Sequence, residues 1–262
     1  AENWYNFQVS GPYAVHVVEK ACGQNIRDIK FMHNGHIKIA GHDVVALRQG
    51  MAGEIGYELQ GPYEDAEDVY RAILEAGQEF GIRQLGGRAV FINHLEACFP
   101  TIVTDYLPAI FDEDLAEYLN EFRSAMPAFA STFNIAGSFE SDDIRDWYKS
   151  PVELGWSKVI KFDHDFLGRE ALEKEVAAPK RVIRTLVWNP DDVVEVYASL
   201  FKEEQPFDFM EMPRDQRGFM YCDKVMNGDT LVGTTTSRGY SYYFRKMLSL
   251  ATVDVEHAEI CN

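Results

Sequence analysis

The run Gly50-Met51-Ala52-Gly53-Glu54-Ile55-Gly56-Tyr57-Glu58-Leu59 constrains this chain more than any other stretch. Glycine recurs at every third residue and the run leads straight into a strand-like Tyr-Glu-Leu-Gln. Glycine reaches positive φ without a Cβ penalty and lets other groups approach the backbone closely, so the run predicts a tight turn feeding a β-strand, open to a flat ligand. Glu54 and Glu58 leave that turn as carboxylates able to accept paired hydrogen bonds from the edge of an amino-heterocycle. Taken without its surroundings, the same run reads as a bulged hairpin with two solvated acids.

The flanking pattern is that of an α+β domain. A strand at Phe7-Gln8-Val9 is followed by Gly11-Pro12 and by Ala14, Val17, Val18 and Ala21 at helical spacing. Residues 28–59 read as strands, with Asn34-Gly35 as a hairpin signal and Ile37, Ile39, Val44 and Ala46 as alternating positions. Pro62 introduces a helix with Val69, Ile73, Ala76 and Phe80 on one face and Glu64, Asp65, Glu67 and Asp68 at its positive end. A second helix is expected from Leu85 to Ala97, ending before Pro100, and another from Asp112 to Met126. Residues 131–150 read as loop. Strands flanked by helices in this order predict helices on one face of a mixed or antiparallel sheet.

After Ala177-Ala178-Pro179 the composition changes, which divides the chain into residues 1–178 and 179–262. In the second part Arg181–Val187 reads as a strand and Asn189 as the cap of a short helix reaching Phe201. Strand-like runs near residues 218–223, 229–237 and 247–255 suggest a small antiparallel β-barrel or part of one.

A formal net charge of −17 repels phosphate backbones and anionic membranes, so nucleic acid and membrane partners are not expected. The 4 cysteines are scattered without a CxxC, which points to a reduced, cytoplasmic setting. His33, His36 and His42 have no acid or cysteine at a convincing ligand spacing, and no metal is expected. Gly86-Gly87-Arg88 lacks the lysine and preceding strand of a phosphate cradle; its plain reading is close helix packing beside a surface cation. The helix that Arg88 opens also carries Asn93, His94 and Glu96, unusually polar for a packing helix.

These motifs, in this order, resemble the glycine-cleavage T-protein (aminomethyltransferase) superfamily, and within it the tetrahydrofolate-dependent O-demethylases of methoxylated aromatic acids, the vanillate and syringate type. Gln8-Val9-Ser10-Gly11-Pro12-Tyr13-Ala14 is similar to the family's strand, Gly-Pro and helix. Gly50–Leu59 resembles its glycine and glutamate turn, and Gly86-Gly87-Arg88 with Asn93-His94-Leu95-Glu96 its arginine-bearing helix. Residues 150–156 and 162–172 resemble the stretch leading to the C-terminal barrel, and residues 232–251 the barrel's Gly-x-x-Thr-Ser hairpin.

The resemblance implies a folate-binding α/β sandwich domain followed by the barrel, with tetrahydrofolate as cofactor and a small-molecule methyl donor. It further implies that the family's N-terminal part, where the catalytic residues are expected, is missing here and that the barrel's end is trimmed. Glu58 matches the glutamate that pairs with the pterin, Arg88 the helix arginine near the folate, and Gln8 a polar residue beside it. Glu54 and Tyr57 line the same turn. Val90 stands where the aromatic demethylases tend to place a tyrosine and Phe99 where they tend to place a tryptophan; both positions shape the folate and substrate pocket. Tyr240 falls in the barrel hairpin as a substrate-facing residue or as barrel packing. The implied reaction moves a methyl group to N5 of tetrahydrofolate. Aminomethyl transfer, N-methyl (glycine-type) demethylation and a non-catalytic folate-binding role are the alternatives within the superfamily.

Overall fold

The computed structural model describes residues 3–125, 134–212 and 219–259. The chain divides into two compact units, Ala1–Phe99 and Pro100–Asn262. This division lies well before the composition change at residues 178–179, because residues early in the second unit are tied to its late strands.

The first unit runs β1 (Trp4–Ser10), α1 (Ala14–Cys22), β2 (Asn34–Ile39), β3 (His42–Arg48), β4 (Gly56–Pro62), α2 (Ala66–Gly77) and α3 (Gly87–Glu96). Its four strands form one antiparallel sheet in the order β1-β4-β3-β2. Strand alternation sends Tyr5, Val9, Ile37, Ile39, Val44, Ala46, Tyr57 and Leu59 into a core completed by Val15 and Val18 of α1 and Val69 and Ile73 of α2. Both helices carry the apolar stripe their spacing predicts, and each side chain in it removes apolar surface from water at about 25 cal/mol per Å². Gly23, at φ 66°, closes α1, its N–H donating to the Glu19 carbonyl.

The β2–β3 hairpin turns at Ala40 and Gly41, both at positive φ (52° and 87°), and not at Asn34-Gly35, which open β2. Gly35 serves packing instead, since a Cβ there would overlap the Ile29 side chain. At the other end of the hairpin, His42 lies between Asp65 (Nδ1 to Oδ1, 2.9 Å) and Asp68 (Nε2 to Oδ2, 3.3 Å), tying the sheet to the acidic start of α2.

In the second unit, α4 (Ala116–Ala125) is followed by β5 (Asn134–Ala136), α5 (Arg169–Ala177), β6 (Arg181–Val187), α6 (Pro190–Ser199), β7 (Phe219–Tyr221), β8 (Asp223–Asn227), β9 (Thr230–Ser241) and β10 (Lys246–Asp254). Asn189 caps α6 as expected, its side chain accepting from the Asp191 N–H at 3.0 Å. The antiparallel sheet has the order β6-β10-β9-β8, and β5 pairs in parallel with β7. Among the described residues this is an open four-stranded sheet and does not close into a barrel: β6 and β8 form its two edges. Its central strand β10 is buried from Met247 to Val253.

Asp105 ties the start of this unit to its sheet. Oδ1 accepts from Thr236 Oγ1 (2.5 Å), Ser237 Oγ (2.5 Å) and Ser237 N–H (3.2 Å), while Oδ2 accepts from Thr101 N–H (2.8 Å). Burial pushes the carboxyl upward and the hydroxyl and amide donors draw it back. The same loop holds Val103 at φ 69°, a costly conformation for a β-branched residue. Asp105→Asn keeps an acceptor for Thr236 and Ser237 but turns an amide N–H toward the Thr101 N–H. Urea unfolding is expected to show a loss of about 1–3 kcal/mol for Asp105→Asn and more for Asp105→Ala; equal stability of all three proteins contradicts the clasp.

Candidate functional site

The face of the first unit's sheet opposite the helices is polar along its two paired strands. Gln8 stands opposite Glu58, Asn6 opposite Gln60 and Ser10 opposite Gly56 in the β1–β4 register. Period-two alternation therefore gathers Asn6, Gln8, Ser10, Glu58 and Gln60 on one surface, while their neighbours Tyr5, Val9, Tyr57 and Leu59 fill the core. Val45 and Leu47 of β3 continue this surface as an apolar strip beside Gln60 and Glu58.

Glu58 is half-buried there. Its Oε2 accepts from Asn6 Nδ2 (3.3 Å) and Gln60 Nε2 (3.4 Å), and Oε1 has no partner among the described residues. Gln8 Nε2 donates to Ser10 Oγ (2.9 Å) and to the Gln49 carbonyl (3.0 Å), bracing the foot of the glycine turn. The turn itself closes through Gln49 N–H to Gly56 O and Gly11 N–H to Ile55 O, both 3.0 Å.

The glycines have local reasons. A Cβ on Gly56 would lie 2.7 Å from both Gln8 Nε2 and the Gln49 carbonyl and 2.8 Å from Ser10 Oγ. A Cβ on Gly50 would overlap the Glu54 carbonyl, and Gly53 sits at φ 73° with Ala97, just past α3, 3.5 Å from its would-be Cβ. The expected close approach to the backbone is thus made by the chain's own Gln8 amide. Beside the turn lies a recess of about 300 Å³ lined by Phe31, Arg48, Gln49, Glu54 and Ile55. Gln49 Oε1 is buried without a hydrogen-bond partner among the described residues, an acceptor suited to an incoming N–H.

The expected site residues distribute unevenly. Gln8 and Glu58 come together on the open face, and Glu54 borders the recess. Tyr57 does not join them: it is fully buried in the helix-packed core, where burial pushes its phenol upward. Adjacent strand residues point to opposite faces, so Tyr57 and Glu58 cannot line one pocket. Arg88 opens α3 exposed, with no hydrogen bond or ion pair among the described residues, and Val90 lies half-buried two residues further along. A Cβ at Gly86 or at Gly87 would meet nothing within 4 Å, so the pair does not serve close packing. Phe99 follows the end of α3, with its ring 5.8 Å from that of His94 and its N–H on the His94 carbonyl at 2.9 Å. Tyr240 belongs to the second unit, edge-on to Tyr242 at 5.1 Å. Sequence reasoning missed Asn6, Gln49 and Gln60; the signal for Asn6 and Gln60 was the two-residue spacing from Gln8 and Glu58.

Residues 1–111 match the family model for the GCVT N-terminal domain. The chain is 37% identical over 269 residues to the sesamin methylene transferase of Sinomonas sp. (strain No.22), across 98% of this chain and 59% of that protein. It is 35% identical over 256 residues to the syringate O-demethylase of Sphingobium sp. (strain NBRC 103272 / SYK-6), across 97% of this chain and 54% of that protein. Residues 1–111 belong to the GCVT domain family of the glycine-cleavage T-proteins. The crystal structure of the glycine cleavage system aminomethyltransferase T from Bartonella henselae shares the T-protein fold with the chain, at a TM-score of 0.54 and 15% identity over 91% of this chain and 48% of that one. The chain spans little more than half the length of these two curated relatives.

The turn's packing is directly testable. Gly56→Ala should expel the Gln8 amide and destabilise the chain by about 1–3 kcal/mol, whereas Gly87→Ala, in open space on a helix, should be neutral or stabilising. Equal urea midpoints for the two variants contradict this packing.

Proposed function

We propose that this chain forms the folate-facing part of a tetrahydrofolate-dependent one-carbon transferase acting on a methoxylated aromatic acid. The observation that carries the reading is the placement of Glu58: a half-buried carboxylate on the open sheet face, beside amide side chains, with one oxygen unpartnered among the described residues. A 2-aminopyrimidinone edge presents adjacent N–H donors, and a carboxylate is the complementary acceptor. The unpartnered Gln49 acceptor and the apolar strip of Val45 and Leu47 suit the same flat, donor-bearing ring. Arg88, exposed and unpaired among the described residues, provides a planar fork for a carboxylate of cofactor or donor.

Tetrahydrofolate supplies the N5 nucleophile when bound, so the protein's work is binding, alignment and exclusion of water. Glu58 anchors the pterin edge, and Gln8 holds the glycine turn that borders it. The aromatic donor is supported by similarity to proteins named for sesamin methylene transfer and syringate O-demethylation. Val90, aliphatic where the resembling demethylases tend to carry a tyrosine, favours a second reading, aminomethyl or N-methyl transfer within the same superfamily.

Anaerobic calorimetric titration with tetrahydrofolate, beside Glu58→Ala, tests the reading. Binding by the unaltered chain and a loss of about 1.5–3 kcal/mol in the variant is the expected result. Equal affinity of the two proteins removes Glu58 from the site.

A further inference from the structure

We infer that Asn6 and Gln60 are positioning residues that set the orientation of the Glu58 carboxylate for its ligand. The inference rests on the folate reading above and extends it to two residues outside the resemblance. Both amides donate to the same oxygen, Oε2, from the neighbouring rung of the ladder: Asn6 diagonally across the strand pair at 3.3 Å and Gln60 along β4 at 3.4 Å. The arrangement follows from register alone, since Asn6 faces Gln60 across the ladder one step from the Gln8–Glu58 pair.

A glutamate on a sheet surface otherwise has freely rotating χ angles, and ordering them on binding opposes affinity. With Oε2 held on two donors, the carboxylate plane is set before binding and Oε1 is presented outward. Oε2 is then filled by N–H groups, so ligand donors converge on Oε1. The ligand selected is one whose edge offers N–H groups; a heterocycle presenting only ring-nitrogen lone pairs meets repulsion. Neither residue has a core role: their side chains stand on the face away from the helices, so removing them leaves Tyr5, Val9 and Leu59 packed.

The test is a thermodynamic cycle on the chain, with tetrahydrofolate as probe. Asn6→Ala and Gln60→Ala should each weaken binding by about 3- to 10-fold. Neither should weaken it further in a Glu58→Ala background, because the effect passes through that carboxylate. The isosteric pair Asn6→Asp and Gln60→Glu, which preserve shape but repel Glu58, should lose more than the alanine variants. Retained thermal melting identifies folded variants. Unchanged affinity in the single variants, or equal losses with and without Glu58, overturns the positioning role while sparing the folate reading. Failure of the unaltered chain to bind tetrahydrofolate overturns both.

Discussion

The antiparallel ladder between β1 and β4 is the constraint on which the first unit depends. It joins the first strand to the last across three intervening elements, and its register decides what each residue of the glycine-rich run can do. With Gln8 opposite Glu58, alternate residues are committed to the helix-packed core or to the open face. A slip of one residue would bury Glu58 and expose Tyr57, leaving an unpaired carboxylate in an apolar core. Core packing against α1 and α2 therefore holds the polar surface in place, although no residue of that surface takes part in the packing.

The glycine turn belongs to the same arrangement. Gly56 has no side chain because the Gln8 amide occupies that space on its way to the Gln49 carbonyl. The turn is thereby fastened to β1 by a side chain that stands next to Glu58 in the ladder. One local device thus joins the motif that identifies the family to the carboxylate proposed to hold its ligand. The second unit uses a different device: a buried aspartate in place of a glutamine, collecting hydroxyl and amide donors from β9 and its own loop.

Much of this was legible in the sequence. The stripes of α1 and α2, the cap at Asn189 and the strands β9 and β10 follow from periodicity and local chemistry that act within a few residues. The β2–β3 turn was not legible because Ala40 bears no mark of the positive φ it adopts, whereas Asn34-Gly35 advertises a turn that tertiary packing overrides. The contacts between Asp105 and residues 236–237 leave no trace in composition. Strand-like runs do not by themselves fix closure, and among the described residues the strands form an open sheet. At the candidate site, Gln8, Glu58 and Arg88 came from resemblance; the exclusion of Tyr57 and the inclusion of Asn6 and Gln60 needed only the two-residue alternation of a strand.

The central claim is that the ligand edge lies on the open face of the β1–β4 pair. A crystal structure of the chain with tetrahydrofolate bound tests it most directly. Pterin N–H groups are expected within hydrogen-bond distance of Glu58 Oε1, with Asn6 and Gln60 still on Oε2. A pterin seated away from this face, with Glu58 unengaged, would contradict it.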